Sequence, residues 1–185
     1  MMEVKVPEKE NVIRRDKILD EIKKAASEEY ETEWTNGGRI RTLKKKSKIR
    51  AGKKSKAKGG QFELRVRNDL TEKGWIVDKW SNNTNLESGE MHPAKRKYNP
   101  FSKAMTIGTG FPDFVAFQLM DEERYNVIGV EVKTNGNLSR VEKEKCAWYL
   151  KNKIFSEIWV ARKVKEKNRV HVEYIDVKEI LGRMR

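Results

Sequence analysis

A lone cysteine, Cys146, excludes a disulfide framework and a cysteine-built metal cluster. The two histidines, His92 and His171, stand far apart and match no zinc spacing. No apolar run approaches the ~18 residues that a membrane helix needs. The opening MMEVKVPEKENV carries no apolar segment of the secretory type. A cytoplasmic protein without membrane contact is therefore expected. IGTGF, residues 107–111, holds two glycines but lacks the Gly-Lys-Ser/Thr of a phosphate loop. No Ser–His–acid set assembles, and no internal repeat is visible.

Charge is abundant and uneven. The chain of 185 residues carries a formal net charge of +13. Residues 1–38 hold 7 basic and 10 acidic residues, whereas RIRTLKKKSKIRAGKKSKAK, residues 39–58, holds 11 basic and none acidic. A block of that density repels itself and stays disordered unless it meets a polyanion. Nucleic acid is the polyanion expected, because each neutralised phosphate releases counterions; a solubilising linker or a targeting signal is the alternative. The contacts expected from this arm are Lys44, Lys45, Lys46, Lys48, Arg50, Lys53, Lys54, Lys56 and Lys58. A second basic cluster stands at Lys95, Arg96 and Lys97.

Periodicity organises the rest. Ile18, Leu19, Ile22, Ala25 and Ala26 recur at helical spacing from Asp16 to about Glu29. QFELRVRNDLTEKG, residues 61–74, reads as a helix with Phe62, Val66 and Leu70 four apart as its core stripe and Gly74 as its stop. WIVDKW, residues 75–80, is a strand. Residues 81–110 read as a long polar loop. Ser139-Arg-Val-Glu142 matches a capping box and opens a helix with Cys146, Ala147 and Leu150 on its buried face. FSEIWVARK, 155–163, and RVHVEYI, 169–175, are strands, and VKEILGR, 177–183, is a short closing helix. The order α-β-β-β-α-β-β predicts an α/β fold of α+β type. A central mixed β-sheet is flanked by helices in a domain over 59–185. An N-terminal helix and a disordered basic arm precede it over 1–58.

Two strands carry charges that a core strand does not need. GFPDFVAF, residues 110–117, bears Asp113, and NVIGVEVK, residues 126–133, bears Glu131 and Lys133. A hairpin centred on Glu122 pairs Phe117 with Val127 and Asp113 with Glu131. Directly opposed residues share a face, so two carboxylates and an ammonium converge at one end of the sheet. Like charges in opposition destabilise a hairpin, and a bound cation reverses that sign. Oxygen ligands in this number suit Mg²⁺. The plain alternative is a surface salt bridge on one strand and a strand-opening Asp on the other.

Helix with Glu63, then Pro112-Asp113 on a strand, then Glu131-Val132-Lys133 on its hairpin partner resembles the PD-(D/E)xK nuclease superfamily. Within it the likeness is closest to archaeal Holliday junction resolvases, on KAKGGQFELRVRNDL and on the Glu-Val-Lys strand followed by a helix and a strand like IFSEIWVARK. The similarity spans roughly residues 58–163. Residues 81–110 are longer than the resolvase connection, and residues 1–58 have no counterpart. The resemblance implies a restriction-endonuclease-like core and a Mg²⁺-dependent deoxyribonuclease, with Mn²⁺ able to substitute. It implies duplex or branched DNA as substrate, roles in recombination and repair, and a homodimer. It assigns catalysis to Glu63, Asp113, Glu131 and Lys133. The metal falls to Asp113, Glu131, the Val132 carbonyl and Glu63, and a phosphate contact to Lys143 near a helix start. A DNA-binding protein of the same fold without activity is the alternative. An RNA-binding module is a further rival, and it requires exposed aromatics on a sheet face.

Overall fold

The computed structural model describes residues 8–93, 96–99, 104–107, 110–167 and 169–182, and the chain divides into two units after Lys58. The first unit holds helix α1 (Glu8–Ala25) and an antiparallel hairpin of β1 (Tyr30–Trp34) and β2 (Ile40–Lys45). Helix α2 (Lys46–Glu72) begins in this unit and ends in the second. Ile18, Leu19 and Ile22 on α1 remain about half exposed.

The basic stretch 39–58 is therefore not a disordered arm: it is β2 and the first half of α2. Lys, Arg and Ala are good helix formers, and a helix spreads their charges around a cylinder open to water. The helix runs through Gly59 and Gly60. A methyl group added at either would meet nothing within 4 Å. Gly59→Ala and Gly60→Ala should each stabilise the protein by about 0.5–1 kcal/mol, because Ala loses less backbone freedom in a helix. A lowered thermal midpoint in either variant would show that α2 needs a glycine there.

In the second unit, β3 (Ile76–Lys79) follows α2. Residues 81–110, expected as one loop, contain two short antiparallel hairpins, β4 (Asn82–Asn85) with β5 (Glu90–Pro93) and β6 (Arg96–Asn99) with β7 (Ala104–Ile107). Each of their strands is four residues long, too short to show as an apolar alternation. Then come β8 (Phe114–Asp121), β9 (Arg124–Val132), helix α3 (Arg140–Lys151), β10 (Glu157–Glu166), β11 (Arg169–Asp176) and helix α4 (Val177–Gly182).

Five of these strands form one mixed sheet in the order β11-β10-β9-β8-β3. β9 and β10 are parallel, and the crossover between them is α3; the other pairs are antiparallel. Alternation along the strands fills both faces. Phe114, Ala116, Ile128 and Val130 meet Phe62, Val66 and Leu70 of α2, which are at most 5% exposed. The opposite face packs Ile158 and Val160 against Cys146 and Tyr149 of α3 and Val177 of α4. Tyr149, not Ala147, accompanies Cys146 inward, since three residues along a helix return closer to the same face than one does. Trp75 and Trp80 both pack in these cores, which leaves neither as a stacking platform on an open sheet.

The result is an α+β fold with a mixed five-stranded sheet flanked by helices. No helix among the described residues is long and apolar enough to cross a membrane. Two glycines set where β8 enters this sheet. A side chain at Gly110 would run into the backbone of Trp80 and Asn82. One at Gly129 would stand 2.8 Å from Pro112 Cγ and 3.1 Å from the Phe155 ring.

Candidate active site

From Leu119 to Phe114 the β8–β9 register follows the expected centre at Glu122; next to the turn it shifts between Leu119 and Asp121. Phe117 pairs with Val127 and Phe114 with Val130, the last pair of the ladder before Asp113 and Glu131. The Trp80 N–H donates to the Asp113 carbonyl at 3.2 Å, so the Asp113 backbone faces β3. The Lys133 N–H donates to the Ala161 carbonyl at 2.9 Å, so the backbone of Lys133 faces β10. Orientation alternates along a strand, and Val132 accordingly turns its N–H and C=O towards β8. Its N–H donates to Asp113 Oδ2 at 2.9 Å. The Asp113 carboxylate thus takes the place of the next ladder acceptor, and the Val132 carbonyl points to the same side.

Glu131 lies on the α3 face and is 5% exposed. Its Oε1 stands 3.0 Å from Lys133 Nζ. The same ammonium donates to Glu142 Oε1 at 2.6 Å. Glu142 in turn belongs to the capping box of α3: its Oε2 accepts from the Ser139 N–H at 2.7 Å, and Ser139 Oγ accepts from the Glu142 N–H at 3.3 Å. The helix start and the site therefore share one carboxylate.

Electrostatics mark the pair of acids. Burial and the Asp113 charge push the Glu131 carboxyl up to about 7, against the pull of Lys133. Burial and the Glu63 charge raise Asp113 as well, opposed by the Val132 N–H, Lys79 and Lys133. Burial tends to lower Lys133, but Glu142 and Glu131 outweigh it and leave the ammonium held above its ordinary value. Burial likewise disfavours the Glu142 charge, yet Lys133 and Ser139 hold its carboxyl below the usual range.

Glu63 sits on α2 with Lys79 Nζ 3.4 Å from its Oε2. Lys79 also lies over the Phe114 ring, 5.8 Å from its centre. Among the described residues, no three His, Cys, Asp or Glu side chains form a group able to hold a metal ion. Glu63 thus forms no three-carboxylate group with Asp113 and Glu131, although its charge acts on Asp113; its ion-pair partner is Lys79. Two carboxylates still match the habit of Mg²⁺, which takes one or two and keeps several waters. Burial first, and neighbouring carboxylate charge after it, raises Asp113 and Glu131, and a donor set of two carboxylates fits a hard divalent cation.

The remaining expected contacts are dispersed. Lys44 and Lys45 end β2, and Lys46, Lys48, Arg50, Lys53, Lys54, Lys56 and Lys58 lie along the first half of α2, all exposed. Lys143 is half-buried in the first turn of α3. Arg96 and Lys97 belong to β6, and Lys95 lies outside the described residues. Sequence reasoning missed Lys79 and the second role of Glu142. Lys79 has the parity of the buried Val77, which was the available signal for its face. Glu142 was visible only as a capping residue.

Cys146 lies fully buried below the acids, and burial together with Glu131 and Glu142 pushes its thiol up to about 12. It should resist thiol reagents in the folded protein and react fully in denaturant. Rapid labelling of the native chain would contradict the packing of α3 on the sheet.

No protein-family model, curated protein or solved structure matches this chain.

Proposed function

We propose that the chain is a metal-dependent deoxyribonuclease built on a restriction-endonuclease-like core. One observation carries this reading: Asp113 and Glu131 crowd at one sheet end, both with raised carboxyls, and Lys133 stands 3.0 Å from Glu131. Asp113, Glu131 and the Val132 carbonyl would hold Mg²⁺ or Mn²⁺. Such an ion, when bound, polarises a phosphoryl oxygen and lowers the pKa of a bound water. Lys133, kept protonated by two carboxylates, donates to the scissile phosphate and balances charge as it develops there. Glu142 holds Lys133 in place through its ion pair. Lys79 offsets part of the negative charge of Glu63 and Asp113.

Duplex or branched DNA is the proposed substrate, and a second copy of the chain is the proposed partner, both on the likeness to junction resolvases. The test is incubation of the purified chain with supercoiled plasmid, linear duplex and four-way junctions, with Mg²⁺ and with chelator. Chelator-sensitive cleavage is expected. DNA binding without cleavage under every divalent cation would favour the inactive DNA-binding protein instead.

A further inference from the structure

The first unit contains a groove that the proposed chemistry does not use. It lies between the β1–β2 hairpin and the first half of α2 and has a volume of about 870 Å³. Five lysines line it: Lys44 and Lys45 from β2, and Lys48, Lys53 and Lys56 from α2. No acidic residue among the described ones does. The floor is different in kind, made of Tyr30, Leu43 and Ile49, all half-buried and so still reachable. Gly52 lies on the same helix face, and a Cβ there would meet nothing within 4 Å, so the groove is open along the helix. Lys45 Nζ stands 5.6 Å from the centre of the Tyr30 ring, a cation–π contact at the edge of the floor.

We infer that this groove binds single-stranded DNA. The lysines demand a polyanion, and their uniform sign excludes an ordinary mixed-charge partner surface. The floor decides between forms of the polyanion. A duplex presents phosphates outward and keeps its bases stacked, so an aromatic and two aliphatic side chains gain nothing from it. A single strand offers base faces to Tyr30, Leu43 and Ile49 while its phosphates reach the lysines, the pairing of funnel and platform that single-strand binders use. The choice of DNA over RNA rests on the nuclease reading above; the choice of a single strand does not.

The test uses the full chain in chelator, so that binding is measured without cleavage. Fluorescently labelled oligothymidine, a duplex of equal length and oligouridine are titrated at several salt concentrations. Oligothymidine should bind at least about tenfold tighter than the duplex. Tyr30→Ala should weaken oligothymidine about tenfold and leave the duplex unchanged. Lys48→Ala with Lys53→Ala, both exposed, should flatten the slope of log K against log salt by roughly 1.4 for the single strand. Equal or tighter binding of duplex, tighter binding of oligouridine, or a salt slope untouched by the double variant would each overturn the assignment. Cleavage that persists without single-strand binding removes the groove proposal alone, and single-strand binding without cleavage removes the nuclease reading alone.

Discussion

Asp113→Asn should lower divalent-dependent DNA cleavage by at least about a hundredfold and leave the protein folded. Asn keeps an oxygen in the position that accepts the Val132 N–H at 2.9 Å, so the change removes charge and little else. Without that charge Glu131 loses its largest repulsive neighbour, and the metal-free protein should be no less stable than the parent. Asp113→Ala is the instructive contrast. It removes the acceptor too, leaving a half-buried N–H to find another partner, at a cost of about 1–3 kcal/mol where none is found. Plasmid nicking rates and melting curves of the two variants separate chemistry from architecture. An Asn variant that cleaves at the parental rate would remove Asp113 from the site.

Stability without divalent cations should fall as pH rises from about 4.5 to about 7. The Glu131 carboxyl ionises at 4.5 in an ordinary setting and at about 7 in the folded chain. Between these values the folded protein holds a proton that the unfolded chain has released, and raising the pH therefore favours unfolding. Asp113, also raised, acts in the same direction. Glu142, held low, gives stability that is present above its ordinary range and lost only in acid, below this window. Lys133, held high, loses its contribution only in strong alkali. The drop due to Glu131 is a few kcal/mol at most, as a shift of one unit corresponds to about 1.4 kcal/mol. Glu131→Gln should flatten the pH dependence of the melting temperature, and added Mg²⁺ should stabilise the parent above pH 7 far more than below pH 6. An unchanged pH slope in the Gln variant would show that the burial of Glu131 is not what sets it.

The centre of the hairpin was legible because strand pairing has a period of two and one turn fixes every partner. Phe62, Val66 and Leu70 were legible for the same sort of reason, as a stripe four residues apart that had to be buried. The full length of α2 was not. Gly59-Gly60 reads as punctuation when propensities are weighed locally, yet 13 helical residues before the pair and 12 after it carry the helix through a cost of about 2 kcal/mol at these two glycines. Short hairpins such as Asn82–Asn85 with Glu90–Pro93 hold almost no apolar pattern for a sequence to display. Lys79 joins the site through the pairing of β3 with β8, and Glu142 through the placement of the α3 start beside the end of β9; no local pattern encodes either approach.

The close approach of backbone at Gly110, and of the Pro112 and Phe155 rings at Gly129, has a consequence for any saturation mutagenesis of this chain. Neither residue has a functional group, yet each holds open a gap that fixes where the segment carrying Asp113 lies. In a selection for activity, both positions should tolerate nothing else and rank beside the acids themselves. Val132, whose contribution comes from its main chain, should accept other β-branched residues freely. Intolerance to substitution in this protein would then trace the route by which an acid is delivered to a sheet end, and not only the groups that meet the substrate.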